Sequence, residues 1–166
     1  MAEIRKVSLL YAPAEDRLAL DTEDLDGATT RLWLTQRLCR ALVTTIIPML
    51  QKAASLRLAG EGDGAVQSWE QAAAMAGFGQ TPAVQSRSDS VTGLVHAVHI
   101  SPPAQQMTLT FDFGENDTRV VTVTTAALRQ TLSVMYRLQA EAGWPLDLWP
   151  AWIADPTAQA AGGAVN

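Results

Sequence analysis

The chain has 166 residues, 48% hydrophobic and 17% charged, with a formal net charge of −5 and one cysteine. That length holds one domain with a substantial core, the composition excludes a disordered chain, and a lone cysteine excludes an internal disulfide. The acidic balance weighs against nucleic acid as a partner.

No apolar run approaches the roughly 20 residues of a membrane span. The first residues, MAEIRKVSLLY, lack a signal-peptide core. A cytoplasmic protein without membrane contact is therefore expected.

Residues 4–11 read as a strand, closed by a turn at Ala12–Asp16 where Pro13 fixes the backbone. Arg17–Thr22 alternates, with Leu18 and Leu20 on one face. After a second turn at Glu23–Gly27, Thr30–Leu34 forms a third strand, with Leu32 and Leu34 facing one way and Arg31 and Trp33 the other.

A long helix follows directly. Thr35 is its expected N-cap and Gly60 its expected stop. Leu38, Cys39, Leu42, Val43, Ile46, Met49, Leu50, Ala53 and Ala54 fill an apolar arc of roughly 160° at helical spacing. Pro48 falls in the opposite, polar arc, where water can satisfy the carbonyl it frees, so one kinked helix is expected.

The segment between residues 60 and 93 is expected to be a mobile insertion around a short helix, with Trp69, Ala72, Ala73 and Ala76 on its apolar side. The pattern then returns. Leu94–Ile100 is a strand and residues 101–104 its turn. Met107, Leu109, Phe111 and Phe113 alternate with Thr108, Thr110 and Asp112. Residues 114–117 make a hairpin turn, and Arg119–Val123 is the last strand. A helix over about 126–142 carries Leu128, Leu132, Met135, Leu138 and Ala142 on one face, with Arg129, Arg137 and Glu141 opposite.

Shifting the frame by 89 residues sets Pro13 on Pro102, Leu20 on Leu109, Thr29 on Thr118, Thr35 on Thr124 and Arg40 on Arg129 without a gap. The chain therefore reads as an α+β protein of two βββα halves, 4–60 and 94–143. Its antiparallel strands carry two long helices on one side and a short middle helix, in one domain over 1–154. Residues 144–156 bring Trp144, Trp149 and Trp152 among three prolines. The tail 155–166 is expected to be disordered.

Motifs that carry chemistry are few. Cys39 lies in the apolar arc with no histidine nearby in sequence, which marks a core thiol. His96 and His99 lie three apart in a strand and face opposite sides unless a bulge intervenes, so no metal site is expected. The acidic turn DTEDLDG has Thr22 and Trp33 where a calcium loop needs its first and twelfth ligands. GEGDG lacks the lysine of a phosphate loop. No catalytic residue and no cofactor is assigned.

Two surfaces remain. One is the outer sheet face with Arg17, Arg31, Trp33 and His99. The other is the segment with Trp144, Trp149 and Trp152, expected to dock on the helices. The leading expectation is a non-enzymatic binding or assembly protein acting through protein–protein contacts, as a homodimer or larger complex. The alternative is a single-stranded nucleic-acid binder in which bases stack on Trp33 beside Arg17 and Arg31. Strand-rich units each closed by a helix resemble the topology of the PUR and Whirly families, whose units count four strands where these count three.

Overall fold

The computed structural model describes residues 4–57, 63–79, 82–102 and 105–155. Its elements run β1 Ile4–Ala12, β2 Arg17–Asp24, β3 Thr29–Leu34, α1 Gln36–Arg57, α2 Asp63–Ala76, β4 Val91–Ile100, β5 Gln106–Phe113, β6 Asp117–Thr124, α3 Thr125–Glu141 and α4 Ala151–Ala154. The protein is α+β, and three strands followed by a long helix occur twice in chain order.

The start of β2 at Arg17 and of β5 at Gln106 differ by 89 positions, as do the starts of α1 and α3. Both long helices begin on a threonine cap. The Leu38 amide donates to Thr35 Oγ1 and the Ala127 amide to Thr124 Oγ1, each at 3.2 Å. Each hydroxyl satisfies an amide that the first helical turn would otherwise leave open. At its C-terminus α3 stops at Gly143 in the left-handed region, φ +71°, with the Trp144 amide returned to the Gln139 carbonyl at 3.0 Å. Pro48 sits on the exposed side of α1, which runs through it as one helix. The expected stop at Gly60 lies outside the described residues.

The two antiparallel triplets join into a single six-stranded sheet in the order β1 to β6. The junction is parallel, with Thr30–Trp33 lying beside Val91–Leu94. A parallel pair needs a long return connection, and here α1, α2 and residues 82–90 supply it. The edge strands β1 and β6 approach each other without pairing.

Both long helices cover one side of this sheet, and part of their packing crosses between the halves: α1 lies against β4, and α3 against β1 as well as β6. Leu18, Leu20, Leu32 and Leu34 of the first half form one core with Met107, Phe111, Phe113, Leu128, Leu132 and Met135 of the second. Gly93 is required by that packing, because a Cβ there would lie 2.3 Å from Phe113 Cδ2. Overpacking of this kind costs about 1–3 kcal/mol. No described helix is long and apolar enough to cross a membrane.

Candidate functional site

Strand register decides what the outer face of the sheet presents. Leu10, Ala19, Trp33 and Leu94 lie in one row across β1 to β4, and Ser8, Asp21, Arg31 and Thr92 lie in the next. Arg31 donates to both carboxylate oxygens of Asp21 at 2.7 Å, and its guanidinium lies 5.5 Å from the Trp33 ring centre. Asp21 is 1% exposed. The bidentate bond holds the Arg31 proton even more firmly than usual, against the opposing effect of burial. The charge expected to be free at this surface is thus matched within the sheet, and one face of Trp33 is occupied by Arg31.

The two halves differ on this side. In β2, Leu18 through Thr22 are all buried, whereas in β5 buried Met107, Leu109, Phe111 and Phe113 alternate with half-buried Thr108, Thr110 and Asp112. Residues 82–90 tie onto the first half: the Val84 amide donates to Ser8 Oγ of β1 at 2.7 Å, and the Ser90 and Thr29 hydroxyls are hydrogen-bonded. Within these residues Val84 is buried.

Arg17 lies at the start of β2, half-buried and on the same face as Ala19 and Asp21. His99 stands apart. It is five residues beyond Leu94, the partner of Trp33, so about 16 Å of strand separates the two. His99 bonds Asp112 Oδ2 at 2.7 Å, while His96 meets the Gly114 carbonyl at 3.2 Å. The register shift between Val95 and Ala97 is the irregularity that would let these histidines share a side, yet each ring has its own partner. Among the described residues no group of three His, Cys, Asp or Glu side chains is placed to hold a metal ion.

The C-terminal tryptophans are all buried. Trp144 donates to Asp16 Oδ1 at 2.9 Å and meets Tyr11 edge-on at 6.0 Å. Asp16 also accepts the Tyr11 hydroxyl at 3.0 Å, which raises the Tyr11 pKa. Trp149 donates to Gln139 Oε1 at 3.0 Å and stands edge-on to Tyr136 at 5.6 Å. Trp152 lies under the Arg129 guanidinium at 5.0 Å. Between them, Asp147 receives two bonds from Arg40 of α1 at 2.8 and 3.1 Å. The segment thus fastens the first turn, α1 and α3 together.

Sequence periodicity misplaced α2. Its buried side is Gln67, Ser68, Gln71 and Ala74, and Trp69 is 70% exposed. The cause is Arg129 of α3, expected on the solvent side but only 2% exposed. Arg129 donates to Gln67 Oε1 at 2.5 Å and to Glu70 Oε2 at 2.6 Å, while Gln71 Nε2 donates to the Arg129 carbonyl at 3.0 Å and to Ser133 Oγ at 2.7 Å. One polar face is buried on another, which a search for apolar stripes does not detect. The available signal was the i, i+4 spacing of Gln67 and Gln71 opposite Arg129 and Ser133. Cys39 is fully buried, and burial pushes its thiol up to about 12.

No protein-family model matches the chain, and no curated protein or solved structure is found similar to it.

Proposed function

We propose that the protein acts by contact, as a non-enzymatic binding or assembly protein that associates with further copies of itself in the cytoplasm. The observation that carries this reading is the apolar row Leu10, Ala19, Trp33 and Leu94 on the outer face, in which Ala19 is buried and Leu10 and Trp33 are half-buried. Leu94 is 44% exposed at its end. The exposed end of that row, with its neighbouring arginine already neutralised, suits a dry protein contact better than a phosphate backbone. The C-terminal tryptophans are consistent with this view, since their burial withdraws that segment as a surface for partners. The matching starts of β2 with β5 and of α1 with α3, and the two threonine caps, further support an origin of the halves as copies of one unit.

Light scattering with sedimentation analysis tests the proposal. The wild type is expected to run as a dimer or larger species. Leu94→Arg is expected to run as a monomer with an unchanged melting temperature. A wild-type monomer throughout the accessible concentration range would remove self-association.

The nucleic-acid alternative retains Arg17 and part of the Trp33 ring but loses the charge of Arg31 to Asp21. Salt-sensitive binding of single-stranded DNA or RNA that is lost in Trp33→Ala would favour it.

A further inference from the structure

Arg5, Arg31, Arg40, Arg87 and Arg129 each lie against a carboxylate of the chain. Arg119 of β6 is fixed by neutral groups instead. Its Nε donates to Thr30 Oγ1 at 3.1 Å and its Nη1 to the Thr118 carbonyl at 2.9 Å, and its guanidinium lies 5.4 Å from the centre of the Phe113 ring. Gly93 leaves the room that this ring fills. Thr30 and Arg119 stand 89 positions apart. The same place in the two halves thus carries a hydroxyl in one and a cation in the other, and the two meet.

These contacts use two of the five N–H groups of a guanidinium. Among the described residues no carboxylate forms an ion pair with Arg119. Held on three sides, the half-buried group has little freedom left to lose when an anion arrives. It lines a pocket of about 280 Å³ at the start of the parallel β3–β4 pair. Buried Thr29 and Thr30 lie on the inner wall. Arg87 and Asp89 line the same pocket and neutralise each other at 3.2 Å. The remaining charge is Asp26, exposed in the turn after β2, and no ion pair joins it to Arg119. The pocket as a whole is therefore neutral, with a fixed cation and an anion held apart within it. Exposed Val91 adds an apolar wall.

We propose that this pocket binds a small zwitterion, a free amino acid, with its carboxylate on Arg119, its ammonium group at Asp26 and its side chain against Val91. A lone carboxylate would leave Asp26 unmatched and bring net negative charge into the pocket, and a phosphate would bring more. The volume limits the ligand to a small molecule. Thr30 shares the core-facing side of β3 with Leu32 and Leu34, so the site is separate from the outer-face contact between copies, and either can fail without the other.

The probe is L-valine, titrated into the isotope-labelled full chain and followed by NMR. Saturable amide shifts are expected at residues 26–30, 87–91 and 117–120. N-acetyl-L-valine, which lacks the ammonium group, and L-valine methyl ester, which lacks the carboxylate, should each bind at least about tenfold more weakly. Arg119→Gln should abolish saturation. Asp26→Asn, an exposed change that leaves the fold intact, should weaken binding at least about fivefold and decides the matter if Arg119→Gln does not fold. Glu115→Gln, at the position corresponding to Asp26 in the second half and outside the pocket, should change nothing. The proposal is overturned by absence of saturation up to about 20 mM L-valine, by equal binding of either derivative, or by equal losses in Asp26→Asn and Glu115→Gln.

Discussion

Arg40 and Arg129 hold corresponding positions on α1 and α3 and have little else in common. Arg40 lies on the surface and grips Asp147. Arg129 is closed in by α2 and stacked on Trp152. Both contact the same C-terminal segment, one at its start and one near its end. What separates them is α2, which covers α3 around Arg129. The surroundings of a charged residue are thus set by which element arrives over it, and two like positions on like helices can end as a surface tie and a buried centre.

The comparison is broken most severely by removing the segment that both arginines touch. Ending the chain after Gly143 deletes three buried tryptophans, each worth about 3–5 kcal/mol. It should lower the melting temperature by more than about 10 °C or prevent folding. Ending it after Pro156 should leave the melting curve unchanged. Equal melting of both truncated chains and the full chain would show that the segment fastens nothing.

Next come the arginines themselves. Arg129→Ala leaves Glu70 without its guanidinium partner and opens space above Trp152, a loss of about 3–5 kcal/mol by urea denaturation. Arg40→Ala removes a solvent-screened contact and should leave the urea midpoint almost in place. Similar midpoints for the two variants would mean that α2 does not seal Arg129.

The smallest effect sharpens the surface side of the comparison. The bonds from Arg40 hold the Asp147 carboxyl below its usual 3.8. A carboxyl depressed in the folded state contributes stability above its unfolded pKa and loses it as pH falls through the folded value. The small melting difference between wild type and Asp147→Asn should therefore be present at pH 7 and vanish below the ordinary carboxylate range. A difference that persists in acid would assign the effect to shape and not to charge.

Much of the fold was legible because period and caps point the same way. Leu18, Leu20, Leu32 and Leu34 alternate onto the core, Met107 through Phe113 do the same, and Thr35 and Thr124 start their helices where the apolar period changes from two to 3.6. The parallel β3–β4 junction was not legible, because local pattern does not encode which strand lies beside which. Arg129 and Gln71 were invisible for another reason: hydrophobic patterning assigns polar side chains to water, and here they bind each other. At the candidate site, Trp33 and Arg31 were correctly placed on one face. The aspartate that neutralises Arg31 stood in the sequence at position 21, one strand away, and only the register of β2 against β3 brings the pair together.

The crossed packing of helices on strands also has a bearing on the order of synthesis. A chain emerging from the ribosome makes β1, β2, β3 and α1 first, at about 5–20 residues per second. The strand against which α1 rests, β4, begins at Val91, well after the helix ends at Arg57. The part of α1 that meets β4 must therefore wait several seconds for that strand, and β1 must wait longer for α3. Each half takes part of its core from the other. Severed between them, the chain should behave as two fragments that are each unfolded alone and gain structure only when mixed.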